Sequence, residues 1–367
     1  MINAERLKET FFRLLAIDSP SFHEHTLADA VASELRNMGF EVALEPVETP
    51  EGPSVNVRAF LRCGEPALLL SAHLDTVEST AGLRVMTDGS IVKSDGTTIL
   101  GADDKAGVAV ILEALRCCAE KRTLARSVEV LFTCGEERGL IGSRAADVSW
   151  VRAREGLILD GEGPVGTVVL AAPFHYRLTG RFKGKAAHAG IAIEEGRSAI
   201  LAMSKAIAEI GVGRKNDVTV NIGVVSGGKA MNIVADDAEF LGEVRSHDRA
   251  SAERELARIE ACVRRASEET GVIGTLESEL MYGGYRYAQD DPFIRELVSW
   301  FATIGVEPRF QESYGGSDAN ILADKGIKAV TVGIGCGSPH ATDEWADLDQ
   351  LTTLARVIEV GLTRQEA

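Results

Sequence analysis

The chain has 367 residues, more than one hydrophobic core usually serves, so two structural units are expected. Acidic residues outnumber basic ones 55 to 39, and a formal charge of -16 repels nucleic-acid phosphates and anionic membrane surfaces, so neither is an expected partner. Six cysteines without a CxxC pair match neither a zinc knuckle nor a disulfide framework and fit reduced thiols in a cytoplasm.

The first segment, MINAERLKETFFRLLAI, carries Glu5, Lys8 and Glu9 among its apolar positions, the pattern of a surface helix rather than an export signal. No stretch approaches the ~20 apolar residues that span a bilayer. His23 and His25 are two apart rather than one helical turn apart, which fails the spacing of a helical metal pair and predicts a surface loop. Strand-length apolar runs then alternate with helical patterns: SVNVRAFL, ALLLSAHLD, a helix over about 105–119, SVEVLFTC and LILD. This is α/β rhythm. After LILD, Gly161-Glu162-Gly163-Pro164-Val165-Gly166 matches the spacing of a dinucleotide loop and raises an NAD-dependent oxidoreductase as a competing class. Such a loop must open a helix whose N-terminus holds the pyrophosphate, whereas TVVLAA continues as strand.

From about Phe174 to Tyr285 the style changes to longer alternating strands, VTVNIGVVSGG and AEFLGEVRSH, with the helices GRSAILAMSKAIAEIG and ASAERELARIEACVRRASEE. This predicts a small inserted α+β domain over 174–285. The remaining 286–367, with KAVTVGIG as a buried strand and an amphipathic helix over 348–362, returns to the first layer formed by 1–173. The expected fold class is α/β, a mixed sheet flanked by helices with the insert as a lid.

The chemistry gathers after the buried strands. His73 and Asp75 end one, Asp103 and Asp104 open a helix, Glu136 and Glu137 follow another strand, Asp160 ends a third, and His340 follows KAVTVGIG. Carboxyl ends of strands in an open α/β sheet face one crevice, so these residues are expected to converge. Strand alternation points His73 and Asp75 the same way, letting Asp75 accept from the second imidazole nitrogen and fix a metal-binding tautomer. Imidazoles with carboxylates suit zinc, cobalt or manganese. Two divalent ions carry four positive charges; Asp103, Glu137, Asp160 and one shared hydroxide carry four negative, so such a site is neutral. Of adjacent glutamates one can bind metal while the other serves as general base, and spacing does not say which.

Taken in order, His73-Leu74-Asp75-Thr76-Val77, Gly101-Ala102-Asp103-Asp104-Lys105-Ala106-Gly107, Cys134-Gly135-Glu136-Glu137-Arg138-Gly139, Leu159-Asp160-Gly161 and Ser338-Pro339-His340 resemble the signature of the di-zinc exopeptidase family containing peptidase T, aminoacylases and succinyl-diaminopimelate desuccinylase. The resemblance implies two divalent metal ions, zinc in the first instance, with Asp103 bridging, His73 and Asp160 completing one site, and Glu137 and His340 the other. It implies Glu136 as the base and Asp75 as the carboxylate behind His73. It further implies a lid that also forms a homodimer, with His188, Asn232 and Arg245 gripping a small peptide substrate. GADDKAG and Asp160 are most similar to the peptidase T branch, which implies a tripeptide aminopeptidase. An N-acyl amino acid deacylase or a dipeptidase would use the same mechanism, and an inactive metal-binding scaffold is the third class.

Overall fold

The computed structural model describes residues 1–363. Helices α1 (Ala4–Leu15) and α2 (His25–Asn37) lead into strands β1 (Glu41–Val47), β2 (Ser54–Leu61) and β3 (Leu68–His73). A hairpin of β4 (Val85–Asp88) and β5 (Ile91–Ser94) precedes α3 (Ala102–Lys121), β6 (Val128–Thr133), α4 (Ile141–Ala145), β7 (Glu155–Gly161) and β8 (Thr167–Ala172). The chain then runs through β9 (Phe174–Lys183), α5 (Ala199–Ile210), β10 (Gly213–Lys215), β11 (Val218–Gly227), β12 (Asp237–Ser246), α6 (Arg249–Thr270), β13 (Ile273–Tyr282) and β14 (Tyr285–Arg286). It finishes with α7 (Pro292–Thr303), β15 (Arg309–Glu312), α8 (Asp318–Asp324), β16 (Lys328–Gly333), β17 (Cys336–Gly337), β18 (Trp345–Asp347) and α9 (Leu348–Leu362).

Two compact units result, the first from 1–170, 287–312 and 317 onward, the second from 171–286 with 313–316. The short segment Ser313–Gly316, which sequence gives no reason to detach from its neighbours, is tied to the second unit by His247 Nε2, 2.6 Å from the Ser313 carbonyl, and by Arg245 Nη1 donating to that of Tyr314.

The first unit is built on a mixed sheet in the order β1-β2-β6-β3-β7-β16-β8. Its centre, β6-β3-β7-β16, is parallel, whereas β1, β2 and β8 join antiparallel. Central strands covered on both faces read as continuous apolar runs, and all six residues of β3 and of β6 are buried. Helix α3 contacts α1, α2, α9 and β3, so Val108, Ile111, Leu112 and Leu115 are buried on every side and the helix lacks a polar face. α/β topology thus sets the ends of β3, β6, β7 and β16 at one edge. The second unit is an antiparallel sheet, β10-β11-β12-β9-β13, with α5 and α6 packed on one face around Phe182, Phe240, Met203 and Val263.

His23 is exposed, and His25 is the first residue of α2 rather than part of a loop. No helix among the described residues is long and apolar enough to cross a membrane. Replacing Leu70 with Ala, a fully buried site in β3, is expected to cost about 2–5 kcal/mol through the cavity left behind, measured as a lowered midpoint of chemical denaturation.

Candidate active site

The end of β3 delivers His73, 2 % exposed. Its Nδ1 lies 2.9 Å from the Asp75 main-chain oxygen and 3.5 Å from the Asp75 carboxylate. The strand ends at His73, so alternation no longer governs Asp75 and the main-chain carbonyl, rather than the carboxylate, is the nearer partner. The Asp75 carboxylate instead receives the main-chain N–H of Glu136 at 3.0 Å and of Glu137 at 3.2 Å, and the Ser21 hydroxyl at 2.7 Å. One buried side chain therefore ties the end of β3 to the turn after β6. Burial alone would raise its pKa, but His73, Ser21 and the Glu136 N–H outweigh this and hold it low.

The next segment enters α3 through Gly101, whose φ of +74° lies in the left-handed region that glycine tolerates. Asp103 and Asp104 are not yet helical and are joined by a cis peptide bond. Buried Glu344 receives the N–H of Gly101 at 2.7 Å and of Asp103 at 2.9 Å. A methyl group at Gly107 would meet the Leu159 carbonyl at 2.1 Å. Glycine at that position is therefore what lets α3 approach the end of β7, which carries Asp160.

Asp103 lies between the two imidazoles. Its Oδ1 is 3.0 Å from His73 Nε2, and its Oδ2 is 3.5 Å from His340 Nε2. Asp160 Oδ1 reaches to 3.6 Å from His73 Nε2, and Glu137 Oε1 lies 2.7 Å from His340 Nε2. His340 itself sits at φ +62°, in the left-handed region, on the loop between β17 and β18. Potential ligand atoms of His73, Asp103 and Glu137 fall within 4.8 Å of one another, as do those of His73, Asp104 and Asp160. Asp104 is the weaker candidate, because its two oxygens already accept the N–H of Gly107 at 3.1 Å and of His73 at 3.3 Å.

The electrostatics fit a cationic occupant. Burial lowers the His73 pKa, but Asp103, Asp160 and Asp75 reverse that and raise it well above its usual value. Hydrogen bonding to Asp103 and Glu137 raises His340 to about 10. Burial outweighs the pull of His73 and, with Asp103 nearby, raises Asp160 to about 7; burial and then Asp160 push Glu136 well up. Carboxylates crowded around two imidazoles raise proton affinity throughout the cluster, and a bound cation would offset the same repulsion. Glu137 Oε1 is buried, and His340 Nε2 lies 2.7 Å from it. An imidazole nitrogen beside carboxylate oxygens is a donor set that suits a divalent metal ion.

A cavity of about 60 Å³ is lined by Asp103, Asp160, Glu162, Cys336, Pro339 and Glu344. Glu344 and Asp318 are carboxylates that nothing in the sequence analysis singles out, while Asp104, placed there at the start of a helix, has no role assigned to it. Asp318, at the start of α8, is buried against Thr133 Oγ1 at 2.5 Å, and its charge contributes to the raised pKa values of Glu136 and Asp160. An acid four residues after His340 was the available signal for Glu344; nothing local marks Asp318, which only the packing of α8 brings here. The glycine-rich run 161–166 leads into strand β8, so no helix N-terminus follows it. His188, Asn232 and Arg245 lie in the second unit. There His188 and Asn232 are neighbours, with Ala189 N donating to Asn232 O at 2.9 Å, while Arg245 is on β12.

A mixed α/β sheet whose strand ends gather imidazoles and carboxylates in this way defines a hydrolase of the metallopeptidase class. Residues 69–362 match Peptidase family M20/M25/M40, and the chain belongs to that family. It is 34% identical to protein YqjE of Bacillus subtilis (strain 168), over 98% of both chains. Among solved structures it is similar to a tripeptidase from Staphylococcus aureus subsp. aureus mu50 (TM-score 0.93, 31% identity, covering 99% of this chain and 98% of that one). It is also similar to aminopeptidase PepT from Bacillus cereus ATCC 10987 (TM-score 0.90, 33% identity, 98% of each chain).

Replacing Asp75 with Asn is expected to weaken retention of divalent metal roughly 10–100-fold, because the carboxylate orients a ligand imidazole and the glutamate turn; competition with a fluorescent chelator measures it. The metal-free protein should show a distinct pH dependence. The His340 pKa is raised when folded, so its pairing stabilises the fold fully below the unfolded value of about 6.5 and loses that contribution as pH rises toward about 10. Its melting temperature should fall over that window, and His340→Asn should flatten the fall.

Proposed function

We propose that the chain is a two-metal-ion aminopeptidase that releases the N-terminal residue of tripeptides. The observation that carries this reading is the position of Asp103, with one carboxylate oxygen toward His73 and the other toward His340. Under this reading His73 and Asp160 would hold one divalent ion, His340 and Glu137 would hold the second, and Asp103 would serve both. Zinc fits the nitrogen and oxygen donors, as cobalt or manganese would. When bound, such ions supply Lewis acidity and lower the pKa of a water at the site.

The protein's own groups then divide the work. Glu136 is the proton carrier: its buried carboxyl has a raised proton affinity, and its main-chain N–H donates to the Asp75 carboxylate, which fixes its backbone. It takes a proton from the attacking water and returns it to the leaving nitrogen. Asp75 is a positioning residue. His188, Asn232 and Arg245 are assigned to the substrate, His188 toward the scissile carbonyl and Arg245 toward a carboxylate, so the second unit acts as the lid. The tripeptidase from Staphylococcus aureus and the Bacillus cereus aminopeptidase support the substrate class.

A homodimer formed through the second unit is part of the same reading. Strand β10 covers only Val218–Val220 of β11, and Val224, Val225, Leu201 and Met231 are exposed. An uncovered strand edge beside apolar side chains suits a second copy. The cysteines, all unpaired, are consistent with a cytoplasmic setting.

Glu136→Gln is expected to abolish turnover while both ions stay bound, since the base is lost and no ligand is; elemental analysis alongside peptide hydrolysis decides it. Trialanine should be cleaved to alanine and dialanine faster than dialanine or N-acetylalanine. Preference for N-acetylalanine would make the protein a deacylase of the same mechanism, and preference for dialanine a dipeptidase.

A further inference from the structure

The sheet of the second unit carries a polar row that the proposed chemistry uses only in part. Directly opposed residues on neighbouring antiparallel strands share a face. The register sets Thr219, Arg245, His175 and Tyr282 side by side across β11, β12, β9 and β13. Their strand neighbours Val218, Val220, Val244 and Tyr176 belong to the core formed with α5 and α6, so the row lies on the face away from those helices. A guanidinium, an imidazole and two hydroxyls in line are the groups that recognise an anion.

The protein already supplies one. Glu243, two residues before Arg245 on the same face, receives Arg245 Nε at 3.1 Å and Nη2 at 2.9 Å, and its Oε2 is 3.1 Å from His175 Nε2. Arg245 Nη1 donates to the Tyr314 carbonyl at 3.1 Å and the Tyr282 hydroxyl at 3.3 Å. The bidentate edge of the guanidinium is thus occupied by an internal carboxylate. The Thr219 hydroxyl oxygen, in contrast, is buried with no hydrogen-bond partner among the described residues. Glu243 is 30% exposed in its side chain, so once displaced it can turn toward water.

We propose that Glu243 is an internal stand-in for the terminal carboxylate of a short peptide and a specificity-determining residue, because a substrate with a free C-terminus must displace it from Arg245. The inference rests on the reading of Arg245 as a contact for the substrate carboxylate. Competition between two carboxylates for one fork weakens binding of peptides with a free C-terminus, whereas a C-terminal amide does not compete for it.

The test is kcat/KM for trialanine divided by kcat/KM for trialanine amide, in the metal-loaded enzyme. Glu243→Gln keeps the shape and removes the charge, and is expected to raise this ratio about tenfold, through KM. Glu243→Asp draws the carboxylate back by one methylene and should raise it by a smaller factor; if one variant does not fold, the other decides by the same sign. An unchanged or lower ratio overturns the proposal. Arg245→Met separates the two readings. A ratio unmoved by that replacement means Arg245 does not hold the terminal carboxylate and the parent reading fails. A ratio that falls there while Glu243→Gln leaves it unmoved removes only the stand-in.

Discussion

Carboxylates buried together repel one another, and each must find either hydrogen-bond donors or positive charge. The first unit is organised around that requirement. Asp75 and Asp104 spend their oxygens chiefly on main-chain N–H groups, and Glu344 does the same for Gly101 and Asp103. These three hold the loops in place and have little left for a ligand. Asp103, Asp160 and Glu137 are the ones turned toward imidazole nitrogens. The same residue type therefore plays two parts, and main-chain donors decide which.

This division explains why the glycines near the site matter. Without a glycine at 107, α3 could not come close enough to Leu159 for the carboxylates of Asp103 and Asp160 to face one imidazole. The second unit follows a different logic. One face of its sheet is filled by apolar contacts with α5 and α6, and the opposite face carries the row of Thr219, Arg245, His175 and Tyr282. A carboxylate two residues from the arginine pairs with it, so the guanidinium in that row is already compensated within the unit.

Much of the first unit was legible in the sequence because its signals are local. Uninterrupted apolar runs gave β3, β6 and β16, and the acids and histidines stand immediately after them, where parallel strand ends must meet. The relation of His73 to Asp75 was read as strand alternation, but the strand stops at His73 and the main-chain oxygen of Asp75 takes the imidazole. Asp318 and Ser313–Gly316 carried no local mark, since their partners lie more than 60 residues away in the chain.

Residue order and type alone determined the family, the α/β rhythm and the set of side chains able to hold cations, because strand periodicity and the residues that follow each strand are properties of short segments. Tertiary structure alone decided which carboxylates are spent on main-chain N–H groups, that the main-chain oxygen of Asp75 takes the imidazole of His73, and that Arg245 is already engaged by Glu243. Those outcomes depend on distances between remote segments, and such distances exist only once packing has fixed them.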